Sequence, residues 1–203
     1  MSIPHRERGK PSLREASREA LLFAMRPLVR WLSVMRVRPD TLTVIGWTLA
    51  LCAAVLFGLG YARVAGLVML TGGVFDALDG AVARETNRMS SFGAFLDSTL
   101  DRLSEAAVFV GLIFFYAGAN RPYEALLAAV AMTFSILTSY TRARAEGLNI
   151  SCEVGLLERA GRVVILSVLS IAGLPTVGLG LLAAGALITT AQRILHVRRA
   201  TRD

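Results

Sequence analysis

Apolar residues run through this chain in blocks too long for the interior of a small soluble domain. Six such blocks can be bounded at 41–60, 63–86, 91–118, 122–147, 155–173 and 176–197. Each approaches or exceeds the ~20 residues a helix needs to cross a hydrocarbon core. Pro39-Asp40-Thr41 breaks the chain ahead of the first block, with Asp40 or Thr41 suited to cap a helix. Pro122 opens the fourth, and Gly173-Leu174-Pro175 divides an uncharged stretch, Val163 to Gln192, that is too long for one helix.

Residues 12–37 follow a different pattern. Leu21, Leu22, Met25, Leu28, Val29, Leu32 and Met35 recur every few positions, while Arg14, Arg18, Arg26, Arg30 and Arg36 interrupt them. This spacing predicts an amphipathic helix lying in the membrane surface. Residues 1–11 are polar and expected to be flexible. The expected fold is an all-α integral membrane domain covering residues 1–203. It has six transmembrane helices within 41–197, preceded by the interfacial helix.

Composition agrees with a membrane class. Of 203 residues, 54% are hydrophobic, and the mean hydropathy is +0.56. The net charge of +7 would suggest nucleic acid in a soluble protein. Here the basic residues flank apolar spans and face anionic headgroups, and no basic segment carries interleaved aromatics, so nucleic acid is excluded as a partner. Of the 22 Lys and Arg residues, only Arg63 and Arg121 fall in the loops opposite the termini. The charge rule therefore places both termini in the cytoplasm, at the cell (plasma) membrane. Cys52 and Cys152 suggest neither a disulfide nor zinc, and His5 and His196 sit beside arginines near the ends. The polar N-terminal stretch is too long for a cleavable signal peptide.

Against this background four acids stand out: Asp76, Asp79, Asp97 and Asp101. Carboxylates at membrane depth are costly unless a cation compensates them. On a helix, Asp76, Asp79 or Gly80, and Ala83 share one face, and Asp97 and Asp101 share another. Four converging oxygen donors suit a hard divalent ion, Mg²⁺ first. Gly80, Ala83 and Gly93 leave backbone open to a bulky ligand, and Arg84 can pair with phosphate. Glu105, one turn past Asp101, is expected to pair with Arg102. Gly72, Gly73, Gly178, Gly180 and Gly185 are expected to serve close helix packing.

The run from Asp76 to Asp101 reads D, two residues, DG, two residues, AR, eight residues, G, three residues, D, three residues, D. It matches every fixed position of the CDP-alcohol phosphotransferase signature, and the six-span layout resembles that family throughout. The resemblance implies transfer of a phosphatidyl-type group from a CDP-linked lipid to an alcohol hydroxyl, releasing CMP. It further implies that Asp76, Asp79, Asp97 and Asp101 hold two Mg²⁺ ions, with Mn²⁺ able to substitute, and that Asp101 is also the base. Asp76, Gly80, Ala83 and Arg84 would line the CDP-lipid pocket. Asp40 and Thr43, in a Pro-Asp-x-x-Thr segment, would close over the nucleotide. Relatives in the family imply a homodimer.

For the acceptor, the resemblance points to Arg142, Arg159 and Arg193. Their surroundings resemble the branch that makes phosphatidylinositol phosphate or its archaeal ether-lipid counterpart, in which arginines bind the acceptor's phosphate. Asp97-Ser98-Thr99-Leu100-Asp101-Arg102 is also closer to that branch than to glycerophosphate-using enzymes. Two features depart from it: Arg142 stands where a lysine is usual, and loop 147–157 is short. Glycerol 3-phosphate is the rival acceptor. An intramembrane prenyltransferase would carry two distant acidic motifs, and a cation transporter would favour broken helices or an inverted repeat.

Overall fold

The computed structural model describes residues 25–86 and 89–202, and over them the chain is helical and strandless. Residues 25–34 form α1. There follow α2 (Pro39–Gly58), α3 (Ala62–Glu85), α4 (Ser91–Gly118), α5 (Pro122–Glu146), α6 (Arg159–Ile171) and α7 (Pro175–Ala200). The helix starts and stops follow local chemistry. Pro39, Pro122 and Pro175 occupy the first turns of α2, α5 and α7, where the missing N–H costs nothing. α1, α2, α4, α5 and α6 are each followed by a left-handed residue: Arg36, Gly60, Asn120, Asn149 and Gly173. The next amide then reaches back five residues, as in Tyr61 N to Leu56 O at 2.9 Å and Arg121 N to Tyr116 O at 2.9 Å. At Gly60 a side chain would also meet Phe115 Cε2 at 2.6 Å.

Helices α2 to α7 close into a ring in the order α2, α3, α6, α7, α5, α4 and back to α2. Its main core joins Phe57, Met69, Phe109, Leu112, Tyr116, Leu166, Leu179 and Leu182. A second core holds α1 against the bundle: Met25, Val29 and Leu32 pack on Leu42, Leu78, Ala81 and Val82. Small residues let backbones touch. A Cβ on Gly46 would meet Gly72 O at 3.3 Å, and one on Gly111 would stand 2.1 Å from Ala54 O. Gly111→Ala is therefore expected to force α2 and α4 apart and cost about 1–3 kcal/mol or more. Thermal unfolding in detergent checks this, and an unchanged midpoint would count against the packing.

Four of these helices, α2, α3, α5 and α7, are long and apolar enough to cross a membrane. α4 has 28 residues, though its first 15 carry Asp97, Asp101, Arg102 and Glu105. α6 differs most from expectation. It has 13 residues, Arg159–Ile171, and not the span 155–173 read from the apolar block. Residues 151–158 instead run as a strap along α7. Leu156 N and Leu157 N donate to Gln192 Oε1 and Thr189 Oγ1, both at 2.9 Å. Arg193 Nε donates to Val154 O at 2.9 Å, and His196 Nε2 lies 2.9 Å from Ser151 O. Side chains of one α7 face thus satisfy the polar backbone that a helix would have paired internally, and Gly155 adopts φ +143°.

Three smaller expectations are also corrected. Arg38, not Asp40 or Thr41, is the N-cap of α2, because Pro39 already sits in the first turn and puts Asp40 inside it. Gly180 faces open space, with nothing within 4 Å of its built Cβ, so close packing does not explain it. Glu105 pairs with Arg162 and not with Arg102, whose guanidinium folds back onto the Ser98 carbonyl. Residues 12–24 of the anticipated surface helix, and the segment 1–11, lie outside the described residues.

Candidate active site

The site is assembled at one end of the ring, where the C-terminal part of α3 meets the N-terminal parts of α4 and α6. α3 supplies Asp76 and Asp79, one turn apart; α4 supplies Asp97 and Asp101. Ser90 starts α4 by accepting from Gly93 N at 2.9 Å, which sets the register of both acids. Asp76, Asp97 and Asp101 each bring a carboxylate oxygen within 4.8 Å of the other two. These three half-buried groups form an all-oxygen donor set suited to a hard divalent cation.

Asp79 stands beside that trio. It is only 5% exposed, and its Oδ2 accepts a hydrogen bond from Thr43 Oγ1 at 2.6 Å. The α2 residue Thr43 thereby ties the start of its helix to the acidic turn of α3. Asp40 approaches from the same helix: a Cβ on Gly93 would lie 3.9 Å from Asp40 Oδ1. Gly80 gives Arg84 room to fold back, since a Cβ there would meet Arg84 Nη1 at 3.3 Å. Ala83 is half-buried on the same turn. A groove of about 480 Å³ opens beside them, lined by Arg84, Glu85 and Ala81 of α3 and by Arg26, Val29 and Arg30 of α1.

The three arginines read as one acceptor cluster have separate partners. Arg159, at the start of α6, bridges α3 and α4: Nη1 lies 2.8 Å from Asp76 Oδ2, and Nη2 lies 2.7 Å from Asp101 Oδ1. Arg142 pairs with Glu146 at 2.8 Å on an exposed turn of α5. Arg193 is buried, donating to Val154 O and to the Thr138 carbonyl. Below the acids lies a small cavity of about 40 Å³ lined by Asp76, Asp101, Arg159, Thr43, Trp47 and the glycines Gly46, Gly72 and Gly73, among others.

Sequence reasoning missed the ion pair beneath the site. Arg162 is 1% exposed and grips Glu105 with two hydrogen bonds, Nε to Oε1 at 2.6 Å and Nη2 to Oε2 at 2.9 Å. The available signal was periodicity: Glu105 lies four residues beyond Asp101, and Arg162 lies three beyond Arg159. On two facing helices, those offsets stack one acid–arginine pair directly behind the other.

A ring of apolar helices with an oxygen-donor cluster at one end defines a membrane protein with a divalent-metal type of centre. The sequence model for CDP-alcohol phosphatidyltransferase matches residues 36–194, and the chain belongs to that family. It is an enzyme of phospholipid synthesis. It is 38% identical over 193 residues to the phosphatidylinositol phosphate synthase of Cutibacterium acnes, across 87% of this chain and 93% of that one. It is 35% identical over 169 residues to the archaetidylinositol phosphate synthase of Pyrococcus horikoshii, across 83% and 87%. Among solved structures it resembles the phosphatidylinositol phosphate synthase of Mycobacterium tuberculosis. In the form with CDP-DAG bound, the TM-score is 0.76 at 32% identity, covering 84% of this chain and 92% of that one. In the complex with manganese and citrate, the TM-score is 0.76 at 33% identity, covering 85% and 88%.

Proposed function

We propose that the protein transfers the phosphatidyl-type group of CDP-diacylglycerol, or of its ether analogue, to a hydroxyl of inositol phosphate, releasing CMP. The observation that carries this reading is the convergence of Asp76, Asp97 and Asp101 within 4.8 Å beside the Arg159 guanidinium, whose N–H groups can donate to a phosphate. The names of the similar synthases favour inositol phosphate over glycerol 3-phosphate as acceptor.

In this reading Asp76, Asp79, Asp97 and Asp101 would hold two Mg²⁺ ions, for which Mn²⁺ would substitute. When bound, the ions neutralise the diphosphate and stabilise the charge that develops on it. Asp101 takes the proton of the acceptor hydroxyl while that oxygen attacks the β-phosphorus. The bond from the β-phosphorus to the bridging oxygen breaks, and CMP leaves with that oxygen. Thr43 orients Asp79 through their hydrogen bond, and Asp40, Gly80, Ala83 and Arg84 line the path of the nucleotide. Arg159, Arg142 and Arg193 serve the acceptor's phosphate. Arg193 retains N–H groups beyond the two engaged with backbone.

The same reading gives α2 to α7 six membrane crossings, with α1 in the cytoplasmic interface of the plasma membrane. α1 supports it with a double character: Met25, Val29 and Leu32 are buried against the bundle, whereas Leu28, Trp31 and Val34 remain exposed to face lipid. The short α6, about 20 Å at 1.5 Å per residue, begins below its neighbours' ends and leaves a polar mouth beside Arg159. A homodimer through the outer apolar faces of α4 and α5 completes the proposal.

The test is CMP release from membranes given CDP-diacylglycerol, Mg²⁺ and one acceptor at a time. Inositol phosphate is expected to support turnover at least about tenfold better than glycerol 3-phosphate, serine or free inositol. Such a ratio corresponds to ~1.4 kcal/mol of discrimination, within what unpaired phosphate-binding groups supply. Preference for glycerol 3-phosphate would replace the acceptor while keeping the chemistry. Thr43→Val is expected to slow turnover roughly tenfold, one hydrogen bond to a charged group contributing about 1.5–3 kcal/mol. A rate equal to the parent protein's would remove Thr43 from the site.

A further inference from the structure

Arg159 and Arg162 lie one turn apart on α6, yet they are held very differently. Arg162 is sealed: both of its bonds to Glu105 are short, and Nη2 also reaches Ser139 Oγ at 3.3 Å. The Arg159 side chain keeps 27% of its surface exposed, and its buried Nε has no hydrogen-bond partner. A guanidinium settled permanently into a structural pair satisfies its buried N–H groups, as Arg162 does. Arg159 instead spends its two terminal nitrogens on Asp76 and Asp101, which belong to different helices. These are two of the three carboxylates that converge as a donor set. Its charge therefore lies against two of the carboxylates that a divalent cation would need, and guanidinium and cation compete for their negative charge.

We propose that Arg159 is a place-holding cation. It neutralises Asp76 and Asp101 in the metal-free protein, releases them when a divalent ion takes their oxygens, and turns its freed fork to the acceptor's phosphate. The proposal rests on the reading of these acids as metal ligands. It adds an order of events: the phosphate subsite is complete only after the metal site is filled. Metal and phosphorylated acceptor then bind with positive coupling through the one arginine they share, and linkage makes that coupling reciprocal. The anchored Arg162–Glu105 pair holds α6 still during the exchange, so that only the Arg159 side chain needs to move.

The test is Mn²⁺ binding by titration calorimetry to the full chain in nanodiscs of neutral phosphatidylcholine, without CDP-lipid. It is run in sodium sulfate, a probe for the acceptor's phosphate, and in sodium chloride of equal ionic strength. In the parent protein sulfate is expected to tighten Mn²⁺ binding on the order of 10-fold, within the range of about 5–150-fold usual for coupled sites. Arg159→Met is expected to bind Mn²⁺ about 10-fold tighter than the parent in chloride, because the competing cation is gone, and to lose the sulfate effect. Arg159→Lys, which keeps the charge without the fork, is expected to show weakened coupling, and it covers the case in which the methionine variant does not fold. Equal or weaker Mn²⁺ binding in Arg159→Met, or a sulfate effect that survives there, overturns the exchange. Mn²⁺ binding that ignores both Asp97→Asn and Asp101→Asn overturns the metal-ligand reading itself, and that result is distinct from a loss of coupling alone.

Discussion

Asp101→Asn is expected to reduce CMP release by about 10²–10⁴-fold, the usual contribution of a positioned general base, while the bundle stays folded. The asparagine keeps the shape of the side chain, and Arg159 keeps its bond to Asp76, so the architecture has little reason to change. What disappears is a negative charge in the donor set and, in the proposed reaction, the group that takes the acceptor's proton. The control is metal removal. Chelation should silence the parent enzyme, and excess Mg²⁺ should restore it. In Asp101→Asn, excess Mg²⁺ should restore nothing beyond the residual rate, because filling the site does not replace the base. Full activity in this variant would show that the acceptor's proton leaves by another route. Full rescue by Mg²⁺ would show that Asp101 acts only as a ligand.

The second large effect concerns stability. Glu105→Ala leaves Arg162, 1% exposed, without its counter-charge in the middle of the helix ring. Breaking one side of a buried pair costs about 3–5 kcal/mol, because the remaining ion is neither hydrated nor paired. Arg162→Ala should cost a similar amount by stranding Glu105. The double change Glu105→Met with Arg162→Met should recover most of the loss, since a well-packed apolar pair of similar volume is often as stable as the ions it replaces. Thermal unfolding of the parent, of Glu105→Met and Arg162→Met singly, and of the double change, all in one detergent, measures the cycle. Additive losses in the double variant would mean that the two residues act independently, contrary to their bidentate contact. The activity of the double variant is informative in addition. If α6 needs the pair for its register against α4, that variant should be stable yet slow.

Much of this molecule was legible from residue order alone, and the reason is the solvent. A membrane imposes length and apolarity on every crossing helix, so the apolar blocks and their Pro and Gly boundaries located α2, α3, α4, α5 and α7 to within a few residues. Asp76, Asp79, Asp97 and Asp101 were conspicuous for the same reason: few other residue types are so costly in such surroundings. α6 was misjudged because hydropathy cannot distinguish a helix from a strap whose backbone is bonded by another helix's side chains. Gln192, Thr189, Arg193 and His196 provide those bonds from about 40 positions away, and only the packing of α7 against the strap makes them available.

The arginines divide along the same line. That basic residues gather at one end of the bundle follows from composition and order, because membrane orientation acts on each loop separately. Which arginine meets which acid does not. Arg142, Arg159, Arg162 and Arg193 carry identical charge, and their separation into an exposed i,i+4 pair, a bridge across the donor set, a sealed strut and a backbone clasp is set by helix register around the ring. Local sequence thus determined the helices, the acidic motif and the chemistry it serves. Tertiary structure decided the partners, because an ion pair depends on angstrom distances between helices that chain order does not encode.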